Sequence, residues 1–249
     1  MTVLLTELVV AGLLIGLLLG VLGAGGAIFT APVLIFAFDV APREATTVSL
    51  VVVLLAAASG LLGHRATRTV QWREGSVFGA VGVLAAATGS WLATVAPERV
   101  LTGAFAVLLV VAAVAMVRQP AGSDVRRDRK SLLVVVAAAL GVGLITGFFG
   151  VGGGFVIVPA LVLVLGFGIR EATATGLLVI SINALAALAV RGPEYLDWAI
   201  ALPMAAGAVA GSFAGAKLAP RMPRERLRQA FAVLMIGAAV MLGLQTALA

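Results

Sequence analysis

Gly20-Val21-Leu22-Gly23-Ala24-Gly25-Gly26 and Gly147-Phe148-Phe149-Gly150-Val151-Gly152-Gly153-Gly154 are two glycine knots inside otherwise apolar runs. Each is followed by a proline, Pro32 or Pro159, six residues after its last paired glycine. Runs this apolar would otherwise continue as helix, and adjacent glycines with a nearby proline interrupt one. The chain therefore breaks a helix twice, in matching places.

The match extends well beyond the knots. At an offset of 127, Gly16, Gly20, Gly23, Gly25, Gly26, Pro32, Arg43, Glu44, Ala45 and Thr46 fall on Gly143, Gly147, Gly150, Gly152, Gly153, Pro159, Arg170, Glu171, Ala172 and Thr173. One deletion later, at an offset of 126, Trp72, Gly89, Pro97 and Ala104-Phe105-Ala106-Val107-Leu108 meet Trp198, Gly215, Pro223 and Ala230-Phe231-Ala232-Val233-Leu234. This is a duplicated unit, and internal repeats are a sequence sign of a transporter fold.

Composition sets the solvent. With 62% hydrophobic and 11% charged residues and a mean hydropathy of +1.17, the chain is an integral membrane protein, since soluble domains are about half apolar and about a quarter charged. There is no cysteine and one histidine, His64, which removes disulfides, thiolate chemistry and histidine-rich metal sites. The net charge of +6 lies in the short gaps between apolar runs, as membrane topology requires, so nucleic acid is not implied.

In order, the apolar runs are Val3 to Leu22, the short Ala27 to Phe38, then Ala45 to Gly63, Gly75 to Ala96 and Val100 to Val117. About 20 helical residues cross a hydrocarbon core of ~30 Å. Residues 1–118 are expected to form the first transmembrane repeat, 119–130 a basic cytoplasmic linker with Pro120 and Gly122, and 131–249 the second repeat.

The basic residues choose the topology. If each broken element is a hairpin, one face collects Arg65, Arg68, Arg73, Arg118, Arg126, Arg127, Arg129, Lys130, Arg170, Lys217, Arg221, Arg224, Arg226 and Arg228, 14 in all, against 3 (Arg43, Arg99, Arg191) on the other. If each broken element is one straight crossing, the split is 9 against 8. The positive-inside rule selects the hairpin. The expected fold class is an all-α polytopic membrane protein of two inverted-topology repeats, each a glycine-broken helical hairpin plus three transmembrane helices. It is multi-pass in the cell (plasma) membrane, with both termini non-cytoplasmic.

Non-helical backbone in a bilayer costs several kcal/mol per unpaired group and survives only when buried in protein or lining a wet cavity. Consecutive glycine amides can converge into an anion nest, and the helix that begins after each knot adds a positive dipole end. Two such ends facing each other would form an anion site near the midplane. The triplet Gly12-x-x-x-Gly16-x-x-x-Gly20 instead has the spacing of close helix packing.

The duplicated G-x-x-G-x-G-G core, the following proline and the A-x-x-[TS]-x-L-like start of the next helix resemble the TauE/SafE family of membrane transporters, also called the 4-toluene sulfonate uptake permease family. The resemblance covers nearly the whole chain. It implies a secondary transporter of small sulfur-containing anions such as sulfite, sulfoacetate or other organosulfonates, commonly in the direction of export. The halves depart from the motif unequally: Ala24 and Ala27 stand where the second knot has Val151 and Gly154, and Val48-Ser49 where it has Thr175-Gly176.

The expected substrate-binding residues are thus Gly23, Gly25, Gly26, Ser49, Gly150, Gly152, Gly153, Gly154, Thr175 and Asn183. Asn183 has Ala56 as its repeat mate, and a carboxamide within a span needs a partner, either a sulfonate oxygen or a neighbouring helix. Ser49, Thr47, Thr175 and Ser181 either contact the anion or bond back to their own helices. Arg43-Glu44 and Arg170-Glu171 recur at the mouths of equivalent spans, as an entrance gate or as helix caps. His64, whose mate is Arg191, suits either proton transfer or the interface. Trp72 and Trp198 start their spans as interfacial aromatics do.

The partners expected are a small sulfur-containing anion and the lipid bilayer, with no nucleic acid, metal or cofactor; proton coupling and a homodimer are left open. The alternatives are a transporter or channel for another small anion or ion, and an intramembrane enzyme. No G-x-S-x-G elbow accompanies the single histidine, which argues against acyl transfer. Few acids lie within the spans, which argues against a cation path.

Overall fold

The computed structural model describes residues 2–23, 25–64, 69–93, 98–118, 131–149, 154–191 and 194–248. Its helices are α1 (Thr2–Leu22), α2 (Ala27–Phe38), α3 (Pro42–His64), α4 (Trp72–Ala93), α5 (Glu98–Arg118), α6 (Leu132–Phe149), α7 (Gly154–Leu163), α8 (Ile169–Arg191), α9 (Trp198–Leu218) and α10 (Arg224–Leu248), with a 3-10 turn at Ala219–Arg221 between the last two. The described residues hold no strand. Each half contributes one short helix following its knot, α2 and α7, and three long helices beyond it. The linker 119–130 lies outside the described residues.

Among the described residues five helices are long and apolar enough to cross a membrane: Val3–Leu22, Pro42–His64, Trp72–Leu92, Ile169–Arg191 and Trp198–Arg221. Leu133 and Val190 are 80% and 88% exposed, and they stand among many other exposed apolar side chains that water would not tolerate in such number. Inside, small residues prevail: Ala45, Ala57, Ala113, Ala139, Ala172, Ala208 and Ala216 are fully buried.

Why the helices pack as they do is written in their glycines. A Cβ on Gly12, Gly16 or Gly20 would collide with the backbone of Met204, Ala208 or Ser212 in α9. Reciprocally, one on Gly207, Gly211 or Gly215 would collide with Val9, Leu13 or Leu17 in α1. The two helices thus run parallel in direct backbone contact, as small residues permit in lipid, where dispersion and not the hydrophobic effect drives association. The expected packing role of Gly12, Gly16 and Gly20 is met. The same device joins α4 to α6, where Gly147 faces Ala86, Gly143 faces Gly82 and Gly89 faces Leu144. Ser90 there donates to the Gly147 carbonyl at 3.1 Å.

These contacts fix directions. α3 runs parallel to α9, since Ser59 donates to the Val209 carbonyl (2.9 Å) and Gly63 meets Ala216. α4 runs parallel to α8, since Gly75 meets Thr175 and Gly79 meets Ile182. α3 runs antiparallel to α8, since Gly60 meets Leu177 while Thr46, at the start of α3, accepts from Arg191 at the end of α8. So α1, α3 and α9 point one way and α4, α6 and α8 the other. Exchanging the halves converts the α1–α9 pair into α6–α4 and α3–α9 into α8–α4, and returns α3–α8 and α5–α10 to themselves.

Because α1 and α3 are parallel, the chain between them must return, and α2 supplies the returning arm. At its end Asp39 takes a left-handed conformation (φ 53°) and the Val40 N–H caps the Leu34 carbonyl at 3.0 Å, a helix stop open to a short polar side chain as well as to glycine. Trp72 and Trp198, both about half exposed, open helices that start at opposite ends of the bundle.

Candidate functional site

One end of the bundle gathers the ends of α1, α3 and α9 with the starts of α4, α8 and α10. The first knot lies there. Gly23 has φ +77°, and a Cβ on it would collide with the Thr173 backbone of α8, so both conformation and space demand glycine. Its N–H donates to the Leu19 carbonyl at 2.7 Å. Gly26 presses on Ile15 and Leu19 of its own hairpin partner, whereas a Cβ on Gly25 would meet only side chains, Leu234 at 3.1 Å and Leu22 at 3.4 Å. The first knot is thus a tightly packed turn, with one of its amides already committed.

Its height along the bundle differs from expectation. Gly20 is level with the last residue of α3, because the His64 Nε2 donates to the Gly20 carbonyl at 3.2 Å. Gly20 also faces Ser212, two turns before α9 ends. The expectation of a knot near the midplane is corrected for the first half: α1 completes a full-length span before it breaks, so Gly23 sits near an end of the bundle. Gly150, Gly152 and Gly153 of the second knot lie outside the described residues, and Gly154 is the first residue of α7.

Beside the first knot is a cavity of about 220 Å³ lined by His64, Thr69, Arg170, Thr173, Ala219, Pro220 and Leu227. Thr173 connects the two features, its backbone against Gly23 and its side of α8 toward the cavity. Arg170 reaches across to the α9–α10 connection, where its Nη2 donates to the Met222 carbonyl at 2.8 Å. Its Nε is buried without a hydrogen-bond partner. The Thr173 hydroxyl donates to the Ile169 carbonyl at 2.6 Å. Among the described residues no carboxylate lines the cavity.

The other expected residues separate into two groups. Thr175 is fully buried and its Oγ1 accepts the Gln71 N–H at 3.1 Å, which anchors the approach to α4. Asn183 lies well inside α8 with its Oδ1 buried and unpartnered. Ser49, Thr47 and Ser181 donate to the carbonyls of Thr46, Arg43 and Leu177 in their own helices, the back-bonding alternative. The Arg-Glu pairs also diverge. In the second half the Gly168 N–H donates to Glu171 at 3.4 Å as a helix cap while Arg170 faces the cavity. In the first half Arg43 is exposed and lies at the opposite end, beside the half-buried Glu44 and Ser49.

The structure therefore brings Gly23, Arg170 and the α8 stretch around Thr175 together and leaves Arg43, Glu44 and Ser49 apart. Thr69 was not singled out by the sequence, and nothing local marks it. Thr173 is legible only as one turn beyond Arg170, on the same face of α8.

Residues 8–242 match the family model described as Sulfite exporter TauE/SafE. A curated relative from Xylella fastidiosa (strain 9a5c), named "Probable membrane transporter protein", is 30% identical over 92% of this chain and 91% of its own. "Probable membrane transporter protein YunE" of Bacillus subtilis (strain 168) is 23% identical over 92% of this chain and 93% of its own. No solved structure matches.

Proposed function

We propose, from the premise that this chain belongs to the sulfite exporter TauE/SafE family, that it is a secondary transporter carrying a small sulfur-containing anion, sulfite, sulfoacetate or another organosulfonate, out of the cell. That it is a multi-pass membrane transporter follows from the family and the five candidate spans. Substrate and direction are our reading.

The observation that carries the mechanism is the opposed sense of equivalent helices. α1 and α3 run against α6 and α8, their repeat mates, as two inverted repeats require. On this reading α4, α6, α8 and α10 start at the end that carries Arg73, Arg170, Lys217, Arg221 and Arg224, and α1 starts at the other. The positive-inside rule then makes the basic end cytoplasmic and both termini external. The cavity beside Arg170 faces the cytoplasm, the side from which an exporter loads.

The two ends of the bundle are also in different states. Thr46 and Arg191 are hydrogen bonded at the external end, whereas their repeat mates Thr173 and His64 line the cavity at the cytoplasmic end. This supports an inward-facing form, with transport as an exchange of these two conditions around the pseudo-twofold axis. The fuller second knot, Gly150 to Gly154, is the proposed point of closest backbone approach to the anion, and Asn183 a proposed donor along its path.

Counterflow in proteoliposomes tests the function. Sulfite or sulfoacetate should compete with a labelled sulfur anion for uptake, and indifference of the flux to every anion tried would reject the reading.

A further inference from the structure

We propose that the cavity between His64, Thr69, Arg170 and Thr173 is a discrete binding site for one small oxyanion, held by the Arg170 guanidinium. Its physiological use rests on the anion-transport reading, but occupancy is separately measurable.

Size restricts the ligand first. About 220 Å³ is below the ~300–1,000 Å³ of sites for drug-sized molecules and holds about seven waters at ~30 Å³ each. A nucleotide or a lipid headgroup with its glycerol does not fit; a sulfate-sized anion with a few waters does. Charge restricts it next. Among the described residues the lining carries one permanent cation, two threonines and a histidine, with no carboxylate. The nearest acid in sequence, Glu171, caps Gly168 and is not part of the lining.

The Arg170 guanidinium supplies the specific observation. Nη2 is committed to Met222, yet the buried Nε–H has no acceptor. The guanidinium that lines the cavity is thus only partly satisfied within the protein, and an oxyanion in the cavity would meet it with a charge-assisted hydrogen bond. Arg170 also sits in the first turn of α8, a 23-residue helix whose dipole favours an anion at that end. The Thr173 hydroxyl gives its proton to Ile169, so the guanidinium, not this threonine, is the donor. At the repeat-equivalent place Arg43 is exposed and Arg191 bonds Thr46. Among the described residues the arrangement therefore occurs at the basic end of the bundle alone.

The test uses the full chain purified in detergent at fixed ionic strength, titrated with sulfate, sulfite or methanesulfonate against gluconate. Wild type should show saturable thermal stabilisation by at least one of the three, and Arg170→Gln should weaken it about ten-fold or more. Arg73→Gln, which removes an exposed charge from the same end, should leave it unchanged. Should Arg170→Gln fold poorly, Thr69→Cys with Arg170 intact gives a second readout, since the chain has no other thiol: sulfate or methanesulfonate should slow its alkylation by iodoacetamide. Equal stabilisation of wild type and Arg170→Gln, or alkylation indifferent to both anions, overturns the site. Arg170-dependent binding in a protein that transports no sulfur anion keeps the site and removes the transport reading. Undiminished sulfite transport and binding by Arg170→Gln does the reverse.

Discussion

Gly16 lies so close to Ala208 that a single added Cβ would overlap the Ala208 carbonyl, and Gly12 and Gly20 stand in the same relation to Met204 and Ser212. The α1–α9 pair therefore tolerates no added side chain at Gly12, Gly16, Gly20, Gly207, Gly211 or Gly215. Gly16→Leu should destabilise the protein in detergent by ~3 kcal/mol or more, as backbone clashes in close-packed interiors do. Gly141, with nothing within 4 Å of an added Cβ, provides the contrast. Gly141→Ala should be neutral or stabilising by up to ~1 kcal/mol, from helix propensity alone. Equal thermal unfolding temperatures for Gly16→Leu and wild type would contradict the seam.

The knot residues should separate by geometry instead of behaving as one motif. Gly23→Ala meets both a positive φ and the Thr173 backbone, so the left-handed conformation alone costs roughly 1–2 kcal/mol and the overlap adds to it. Gly25→Ala meets only the side-chain methyls of Leu234 and Leu22 and should fold and transport nearly as wild type. Comparing the yield of folded protein and the counterflow rate for the two variants checks this. Loss of transport in well-folded Gly25→Ala would mean that the first knot contacts the anion after all.

Topology is open to labelling because the native chain has no cysteine. Ala41, between α2 and α3, and Ser131, before α6, are both exposed and lie at opposite ends of the bundle. In intact cells a membrane-impermeant maleimide should label Ala41→Cys, and should reach Ser131→Cys only after permeabilisation. Labelling of both from one side would overturn the inverted arrangement.

The Thr46–Arg191 contact should break and reform in each transport cycle. In a Thr46→Cys/Arg191→Cys double variant, a short bifunctional thiol reagent should tie α3 to α8 and stop counterflow, while a cleavable reagent should restore it on reduction. Full transport by the crosslinked protein would show that this end need not open.

Much of the architecture is legible without coordinates. The apolar run Ala27 to Phe38 is legible as a separate short element and is α2, residue for residue. The first knot is legible as a break and lies between α1 and α2, with Gly23 against Thr173, one turn beyond Arg170. What stays hidden is the use of each polar group. Thr175 resembles a ligand by motif, yet it accepts a hydrogen bond from Gln71, 104 positions away. Arg170 and Arg43 are twins by repeat, yet one lines a cavity and the other faces outward.

The sequence by itself determined the solvent, the duplication and the positions of the helix breaks, since each is a property of composition or of order along the chain. The tertiary structure alone decided which helix meets which and therefore which glycines are seams, which hydroxyls are occupied and where a cavity opens. The reason is the bilayer. Lipid makes the outward face of every helix as apolar as its inward face, so no amphipathic stripe marks the buried side. Only the paired backbones of α1 with α9 and of α4 with α6 reveal it.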